Sequence, residues 1–169
     1  KKGKKLLSKE ILPKSINYSL IAAMTKQHGI IGIKIVEGSV KGNIFLKYLF
    51  ELLFSIYSDN SRKMQILMIK KIVFVMDNAK IHLTEDFKQY FKSKFCILNN
   101  APYSPQLNPI ELAFGKIKSL VKKSYPKSKE GLVFEIIKAC YSITPLIARK
   151  FIYHSMKFYL PCFKKEDLF

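Results

Sequence analysis

Two acidic residues, Asp77 and Glu111, stand at positions where a protein chain can hold a metal ion. Acidic residues are scarce, 12 against 30 lysines and arginines, so each one can be weighed separately. Asp77 follows a short apolar run, residues 72–76, which predicts a strand that is buried on both faces and central in a sheet. Glu111 begins a predicted helix after a proline-rich loop. Carboxylates at such ends can bind Mg²⁺ (or Mn²⁺) together with substrate phosphate oxygens, and two ions about 3.5–4 Å apart support the phosphoryl transfer that cuts DNA.

Each of these acids also has a structural explanation that needs no metal. Asp77 and Asn78 after a strand are typical of an Asx-type turn. Asn108 as a helix N-cap, with Pro109 at the first helical position and Glu111 at the third, makes a variant of the capping box. For either acid taken alone, the structural explanation would be preferred.

Histidine and cysteine indicate no site of their own. The histidines share no short metal-ligand spacing: His28, His82 and His154. The cysteines are odd in number, far apart and without a CxxC pair, so they predict neither a disulfide framework nor a zinc site: Cys96, Cys140 and Cys162. A reducing compartment fits this cysteine usage.

The charge balance predicts a polyanionic partner. The chain carries a formal net charge of +18 and has a sequence pI of about 9.8, for which nucleic acid is the first expectation. All basic residues except Arg62 and Arg149 are lysines. Lysine binds phosphate as a point charge, so we expect affinity for nucleic acid with little base specificity. No segment reaches the roughly 18 apolar residues of a spanning helix and no secretory signal is present, so neither a membrane partner nor secretion is expected.

The elements that must position the acids alternate between strand and helix. The length of 169 residues corresponds to one domain, and 49% of the residues are hydrophobic, which is enough to form a buried core. Apolar periodicity predicts a hairpin of two strands, a helix, a strand, a helix, a strand and three helices: residues 16–24, 30–36, 44–57, 72–76, 84–92, 95–98, 109–123, 130–143 and 145–159. This order predicts an α/β fold.

Two blocks of sequence around the acids resemble a known family. Residues 73–82 (VFVMDNAKIH) resemble the strand-Asp-Asn-Ala-x-x-His block of the DDE transposases of the mariner-like superfamily and their bacterial insertion-sequence relatives. Residues 102–111 (PYSPQLNPIE) resemble the same family's Pro-Tyr-Ser-Pro-x-Leu-Asn-Pro-Ile-Glu signature. The 33 residues between Asp77 and Glu111 are similar to the gap between the family's second and third catalytic acids. With weaker likeness upstream, the resemblance spans residues 1–124.

The resemblance implies a fold, a chemistry and partners. The fold is RNase H-like, a mixed sheet flanked by helices, and the activity is metal-dependent cleavage and joining of DNA strands at transposon ends and target. Asp77 and Glu111 become the second and third catalytic acids and ligands of Mg²⁺ or Mn²⁺. Residues 1–124 are then a DDE endonuclease domain and residues 125–169 a C-terminal helical extension packed on it. A homodimeric state stays open, and the expected location is the nucleus of a eukaryote or the cytoplasm and nucleoid of a bacterium.

The chain also departs from the family pattern. The family's first catalytic Asp ends a strand ahead of the region of Asn17, where the only acid is Glu10 in a lysine-rich stretch. We therefore expect that Asp, its strand and an N-terminal helix-turn-helix domain to lie upstream of Lys1, so that the chain is a truncated catalytic domain. Phe114 stands near a position where many relatives have Trp.

Three functions remain open at the level of sequence. The first is the catalytic-domain fragment of a transposase, and the second is an inactive, non-specific nucleic-acid-binding remnant of one. Both predict DNA binding, and only metal-dependent nicking separates them. The third, an RNA-associated basic protein, would explain the charge but not the two blocks.

Overall fold

The computed structural model describes residues 17–58 and 72–164. Within them, strands and helices follow one another in the order predicted from the sequence: β1 (Tyr18–Thr25), β2 (Gly29–Glu37), α1 (Gly42–Ser58), β3 (Val73–Met76), α2 (Glu85–Phe87), β4 (Cys96–Asn99), α3 (Pro109–Ser124), α4 (Lys129–Tyr141) and α5 (Pro145–Lys164). Short 3-10 turns cover Lys80–Leu83 and Pro105–Leu107, and a π-helical turn, Lys88–Lys92, extends α2. The region of Glu10, ahead of which the family's first strand and first catalytic Asp are expected, lies outside the described residues.

Strands β1 and β2 form the predicted antiparallel hairpin. Their register runs from Tyr18 opposite Glu37 to Thr25 opposite Gly29, with a bulge between Ala23 and Met24. Gly29 ends the turn at φ 73°, a left-handed backbone that glycine adopts without steric cost. A Cβ atom at this position would also clash with the carbonyl oxygen of Ile143, so the turn can approach the start of α5 closely only with glycine.

The hairpin is a layer between two hydrophobic cores. Ile21 packs in a cluster built on the buried face of α1. The opposite face of the hairpin packs against buried residues of α3, α4, α5 and the turn before α5, through Leu20, Met24, Ile30 and Ile33. Helices on both faces of a strand layer are the arrangement of an α/β fold.

Strands β3 and β4 are parallel neighbours in register from Val73 opposite Cys96 to Met76 opposite Asn99. Phe74 and Met76 pack toward α1, whereas Val73 and Val75 are 43% and 50% exposed. The prediction of a strand buried on both faces and central in its sheet is therefore wrong for the described residues, in which β3 pairs with β4 alone. A continuous apolar run shows that both faces could be buried, but it does not show that a second layer covers them.

The predicted helix at residues 84–92 is present but changes its winding. The hydroxyl oxygen of Thr84 accepts a hydrogen bond from the backbone N–H of Phe87 at 3.3 Å and so caps the start of α2. The chain then continues as the π-helical turn to Lys92. This winding places Phe87 and Phe91 together inside the first core.

Helices α4 and α5 cover the outer side of the hairpin. Ala139, Cys140 and Ala148 are buried there together with Ala113 and Ile117 of α3, so the second core joins residues from both sides of the predicted boundary at 124/125. That domain boundary stays a prediction. Among the described residues no single helix is long and apolar enough to cross a membrane, and only α4 with Pro145–Tyr159, a pair bent by 74°, reaches that threshold jointly.

The first core depends on Phe91, whose side chain is fully buried among the rings of Phe74, Phe87 and Phe95. We expect Phe91→Ala to lower the free energy of unfolding by about 3–5 kcal/mol, because it leaves a cavity that the packed rings cannot fill. Urea denaturation measures the change. Phe54→Ala, at a side chain 75% exposed on α1, is the control and should change stability by less than about 0.5 kcal/mol. Equal losses in both variants would contradict this account of the core.

Candidate active site

The ends of β3 and β4 are tied together directly beside Asp77. The backbone N–H of Asn100 donates to the carbonyl oxygen of Met76 at 2.9 Å, and the side-chain amide of Asn78 donates to the carbonyl oxygen of Asn100 at 2.6 Å. The Nδ2 atom of Asn100 is itself buried without a hydrogen-bond partner in the described part of the chain. These contacts fix the position at which Asp77 leaves the sheet.

Asp77 forms a turn and still presents a free carboxylate oxygen. Its Oδ1 accepts a hydrogen bond from the backbone N–H of Ala79 at 3.2 Å, so the Asx-type turn does form. The side chain is 54% exposed, and within residues 17–58 and 72–164 no hydrogen bond reaches Oδ2. The turn therefore orients the carboxylate without consuming it, and the structural and metal-binding explanations are compatible.

His82 is a site residue that the sequence reasoning missed. Its Nδ1 lies 3.0 Å from the carbonyl oxygen and 3.1 Å from Oδ1 of Asp77. The ring packs on Phe45 with centroids 4.3 Å apart and is 11% exposed, so the imidazole is held in place. The signal was present in the Asp-Asn-Ala-x-x-His block, but a search for metal-ligand spacing among the histidines passed over a histidine that orients a carboxylate.

Glu111 follows a loop that a hydrogen bond from α5 fixes in place. Leu107, at the end of this loop, is buried, and its carbonyl oxygen accepts a hydrogen bond from the Tyr159 hydroxyl at 3.0 Å. Pro109 occupies the first turn of α3, as predicted, but the side chain of Asn108 makes no capping hydrogen bond. The capping box is therefore not formed, and among the described residues the Glu111 carboxylate has no hydrogen-bond partner that would explain it structurally.

The two carboxylates lie in one cleft. It has a volume of about 380 Å³ and is lined by the loop after β3 and the loop before α3, with Asp77 and Glu111 both in its wall. The pKa of Glu111 is raised from its ordinary value, first by burial and then by the Asp77 carboxylate, while Lys118 opposes the shift. The two acids are thus near enough to repel each other, and a divalent cation that neutralised them would fit this oxygen donor set. In the part of the chain that the structure describes, no third His, Cys, Asp or Glu completes a metal-binding group with them.

A second, open groove of about 460 Å³ lies further along α3. Its wall carries lysines from the last two turns of the helix together with Ser119 and Tyr125: Lys118, Lys122 and Lys123. Gly115, Lys118 and Lys122 follow Glu111 at spacings of four, seven and eleven residues, which places them on one helix face. Helix α3 therefore bears an acidic group at its start and a basic face beyond it. We refer to these lining residues as the lysine groove.

The crowding of like charges predicts a gain in stability for Glu111→Gln. Because the folded-state pKa of Glu111 is raised, its charged form destabilises the fold at pH values above that pKa. We expect the variant to have the higher thermal midpoint at pH 7, by an amount equivalent to about 0.2–1 kcal/mol, and the difference to vanish as pH falls below the unfolded value of 4.5. Thermal unfolding followed by circular dichroism across this pH range measures it.

The matched control is Glu130→Gln in the first turn of α4. Both glutamates gain from the positive end of a helix dipole, an interaction worth about 0.3–1 kcal/mol, but only Glu111 faces a second carboxylate across the cleft. Glu130→Gln should therefore lose stability at pH 7. A loss of similar size in Glu111→Gln would contradict the repulsion across the cleft.

Comparison with solved structures gives the fold. The catalytic domain of Mos1 mariner transposase superposes with a TM-score of 0.74 at 15% identity, over 86% of this chain and 72% of that one. The Mos1 catalytic domain with raltegravir and Mg gives a TM-score of 0.75 at 15% identity, over 89% of this chain and 76% of the other. The Mos1 strand transfer complex gives 0.69 at 14% identity, over 93% of this chain and 45% of the other. The predicted RNase H-like α/β fold is confirmed.

Family membership rests on a different comparison. A comparison with curated proteins gave no match. The family model described as DDE superfamily endonuclease matches residues 1–133, a range that contains Asp77, Glu111 and the cleft between them. The chain belongs to the DDE superfamily endonucleases.

Proposed function

We propose that this chain acts on DNA as the catalytic part of a transposase, with Asp77 and Glu111 as ligands of Mg²⁺ or Mn²⁺ in strand cleavage and strand transfer. The observation that carries the proposal is the meeting of these two carboxylates in one cleft of a DDE endonuclease. Solved relatives of the fold support the cofactor and the partner, since Mos1 has been crystallised with Mg, with Mn, as a paired end complex and as a strand transfer complex. Its place of action would be the nucleus or nucleoid, where DNA is found.

The chain's own groups would prepare the site for a charged substrate. The Ala79 N–H and the His82 ring hold one side of the Asp77 carboxylate, so that no group of the described residues occupies its second oxygen beside the cleft. Glu111 stands in the first turn of a helix whose start is anchored by buried Leu107 and Tyr159. When bound, a divalent cation would supply Lewis-acid stabilisation of charge on the phosphoryl oxygens. Rigid placement of both carboxylates lowers the reorganisation needed when such a substrate enters.

The lysine groove would bind the DNA backbone on the side of the cleft toward which α3 runs. Its lysines have no ion-pair partner in the described residues, whereas Lys88 and Lys138 pair with Glu85 and Glu135. Unpaired lysines can neutralise phosphates and release counterions, which is the main source of sequence-independent affinity. Helix α3 would thus connect Glu111, in the cleft where the scissile phosphate would bind, with the lysines that would bind the neighbouring phosphates.

The catalytic proposal predicts a metal-dependent nicking activity that both acids control. The resemblance implies a further catalytic Asp before the described strands, so we expect no nicking from the chain that begins at Lys1 and nicking from a form extended upstream through an Asp-bearing strand. In the extended form, Asp77→Asn and Glu111→Gln should each reduce nicking to background, because they keep shape and remove the anionic oxygens. Relaxation of supercoiled plasmid in Mg²⁺ or Mn²⁺, followed on gels, is the measurement.

Glu85→Gln is the control for that assay, since Glu85 is exposed on α2 and pairs with Lys88 outside the cleft. It should nick like the unmodified extended form. Full activity in Glu111→Gln would contradict the catalytic assignment. An extended form that binds DNA but nicks in neither metal would favour the second candidate, a non-catalytic nucleic-acid-binding remnant. The observation in favour of this candidate is that, among the described residues, no third metal-ligating side chain joins Asp77 and Glu111.

The lysine groove predicts a change in the salt dependence of DNA binding. The double variant Lys118→Ala/Lys122→Ala should weaken binding to unrelated duplexes and reduce the slope of log K against log salt by up to about 1.8, since each phosphate contact contributes about 0.9. Fluorescence anisotropy of labelled duplexes at several salt concentrations measures the slope. The control is Lys88→Ala/Lys138→Ala, which removes the same net charge from ion-paired positions. Equal slopes for the two double variants would show that net charge, rather than the groove, determines affinity.

A further inference from the structure

Tyr103 has an unusual setting at the rim of the cleft. Its side chain is fully exposed, at 102% of the reference value, although the residue lines the same cleft as Asp77 and Glu111. Its backbone lies at φ 56°, in the left-handed region that residues other than glycine rarely adopt. The ring of Tyr103 thus lies outside both hydrophobic cores and in the wall of the candidate active site. Its backbone conformation is one that a residue with a side chain rarely adopts.

The loop that carries Tyr103 is fixed on both sides. Before it, the hydrogen bond from Asn100 to Met76 ties the chain to the end of β3. After it, the 3-10 turn ends at buried Leu107, which the Tyr159 hydroxyl binds. Pro102 and Pro105 restrict the backbone on either side of the tyrosine. The exposed ring is therefore a preset feature of a rigid loop, and strain of this kind concentrates at binding sites.

We propose that Tyr103 stacks on an unpaired DNA base beside the phosphate that enters the cleft; this inference rests on the proposed function. An exposed ring has two free faces, and stacking on aromatic side chains is a general way of binding unpaired bases without reading their sequence. Inside a duplex both faces of each base are covered by its neighbours, so the ring requires an unpaired base, either in a single-stranded end or displaced from the stack. Removal of such a contact weakens binding about 5- to 150-fold.

The Tyr103 ring would also provide selectivity for unpaired DNA, which the lysines do not provide. Lysine contacts to phosphate do not require an unpaired base, because they address only the backbone. A stacking residue beside the carboxylates favours DNA whose strand end has opened next to the scissile phosphate. Tyr103 would therefore distinguish an open end from continuous duplex and direct the open end into the cleft.

The absence of tryptophan from the sequence allows a direct test. Tyr103→Trp places a single tryptophan on the loop, and stacking on a base quenches its emission. The probes are a labelled blunt duplex of about 20 base pairs and the same duplex with a short single-stranded 3′ overhang, both titrated in Ca²⁺ while anisotropy reports binding. We expect strong quenching by the overhang and weak quenching by the blunt duplex at equal occupancy.

Two sets of variants complete the test. Tyr141→Trp, at an exposed position on α4 that lines neither groove nor cleft, should show no difference between the two probes. Tyr103→Phe should keep the preference for the overhang, while Tyr103→Gly, which relieves the left-handed backbone and removes the ring, should reduce it by about 5-fold or more. Tyr141→Gly, at the exposed tyrosine of α4 outside both the cleft and the lysine groove, should leave the preference unchanged.

The outcomes separate this inference from the function on which it rests. Equal quenching of the Tyr103→Trp variant by both probes, or an unchanged preference in Tyr103→Gly, would overturn the stacking role and leave the DNA function standing. Failure of the unmodified chain to bind either probe would overturn the proposed function and the stacking role together.

Discussion

Two like charges must be held together in one cleft, and much of the described structure contributes to that. Burial and, after it, the Asp77 carboxylate raise the pKa of Glu111, so its charged form costs stability that other parts of the fold supply. The aromatic cluster around Phe91 holds β3, at whose end Asp77 lies, and the second core holds α3. The Tyr159 hydroxyl reaches from α5 to the loop before Glu111, so the C-terminal helix helps to position the acid.

Helix α3 sets the relation between the acids and the basic surface. Its first turn places Glu111 in the cleft, and the same face carries Lys118 and Lys122 farther along. Lys118 partly opposes the rise in the Glu111 pKa, so the lysine groove acts electrostatically on the acid, as it would on the phosphates of the proposed DNA ligand. Under the proposed function, a helix that carries both groups would keep a bound phosphate backbone in constant register with the carboxylates.

The order of elements and the pairing of the two acids followed from local patterns. Hydrophobic periodicity placed the described strands and helices within a few residues, and the two motif blocks identified Asp77 and Glu111. The capping explanation for Glu111 was wrong because backbone hydrogen bonds alone close the first turn of α3. The orienting role of His82 was missed because the histidines were considered only as metal ligands, and the packing on Phe45 that fixes the ring involves a residue far away in the sequence.

The sequence by itself determined which residues can do chemistry, since residue type and spacing are local properties: an acid after a strand, an acid in the first turn of a helix, and an excess of lysine. Only the tertiary structure decided how those groups face one another. The exposure of Val75, the contact between Tyr159 and Leu107, and the exposure of Tyr103 depend on which layers meet, and the net burial energy of the whole chain sets that outcome. A one-dimensional pattern records the apolar surface that is available but not the surface that finally covers it.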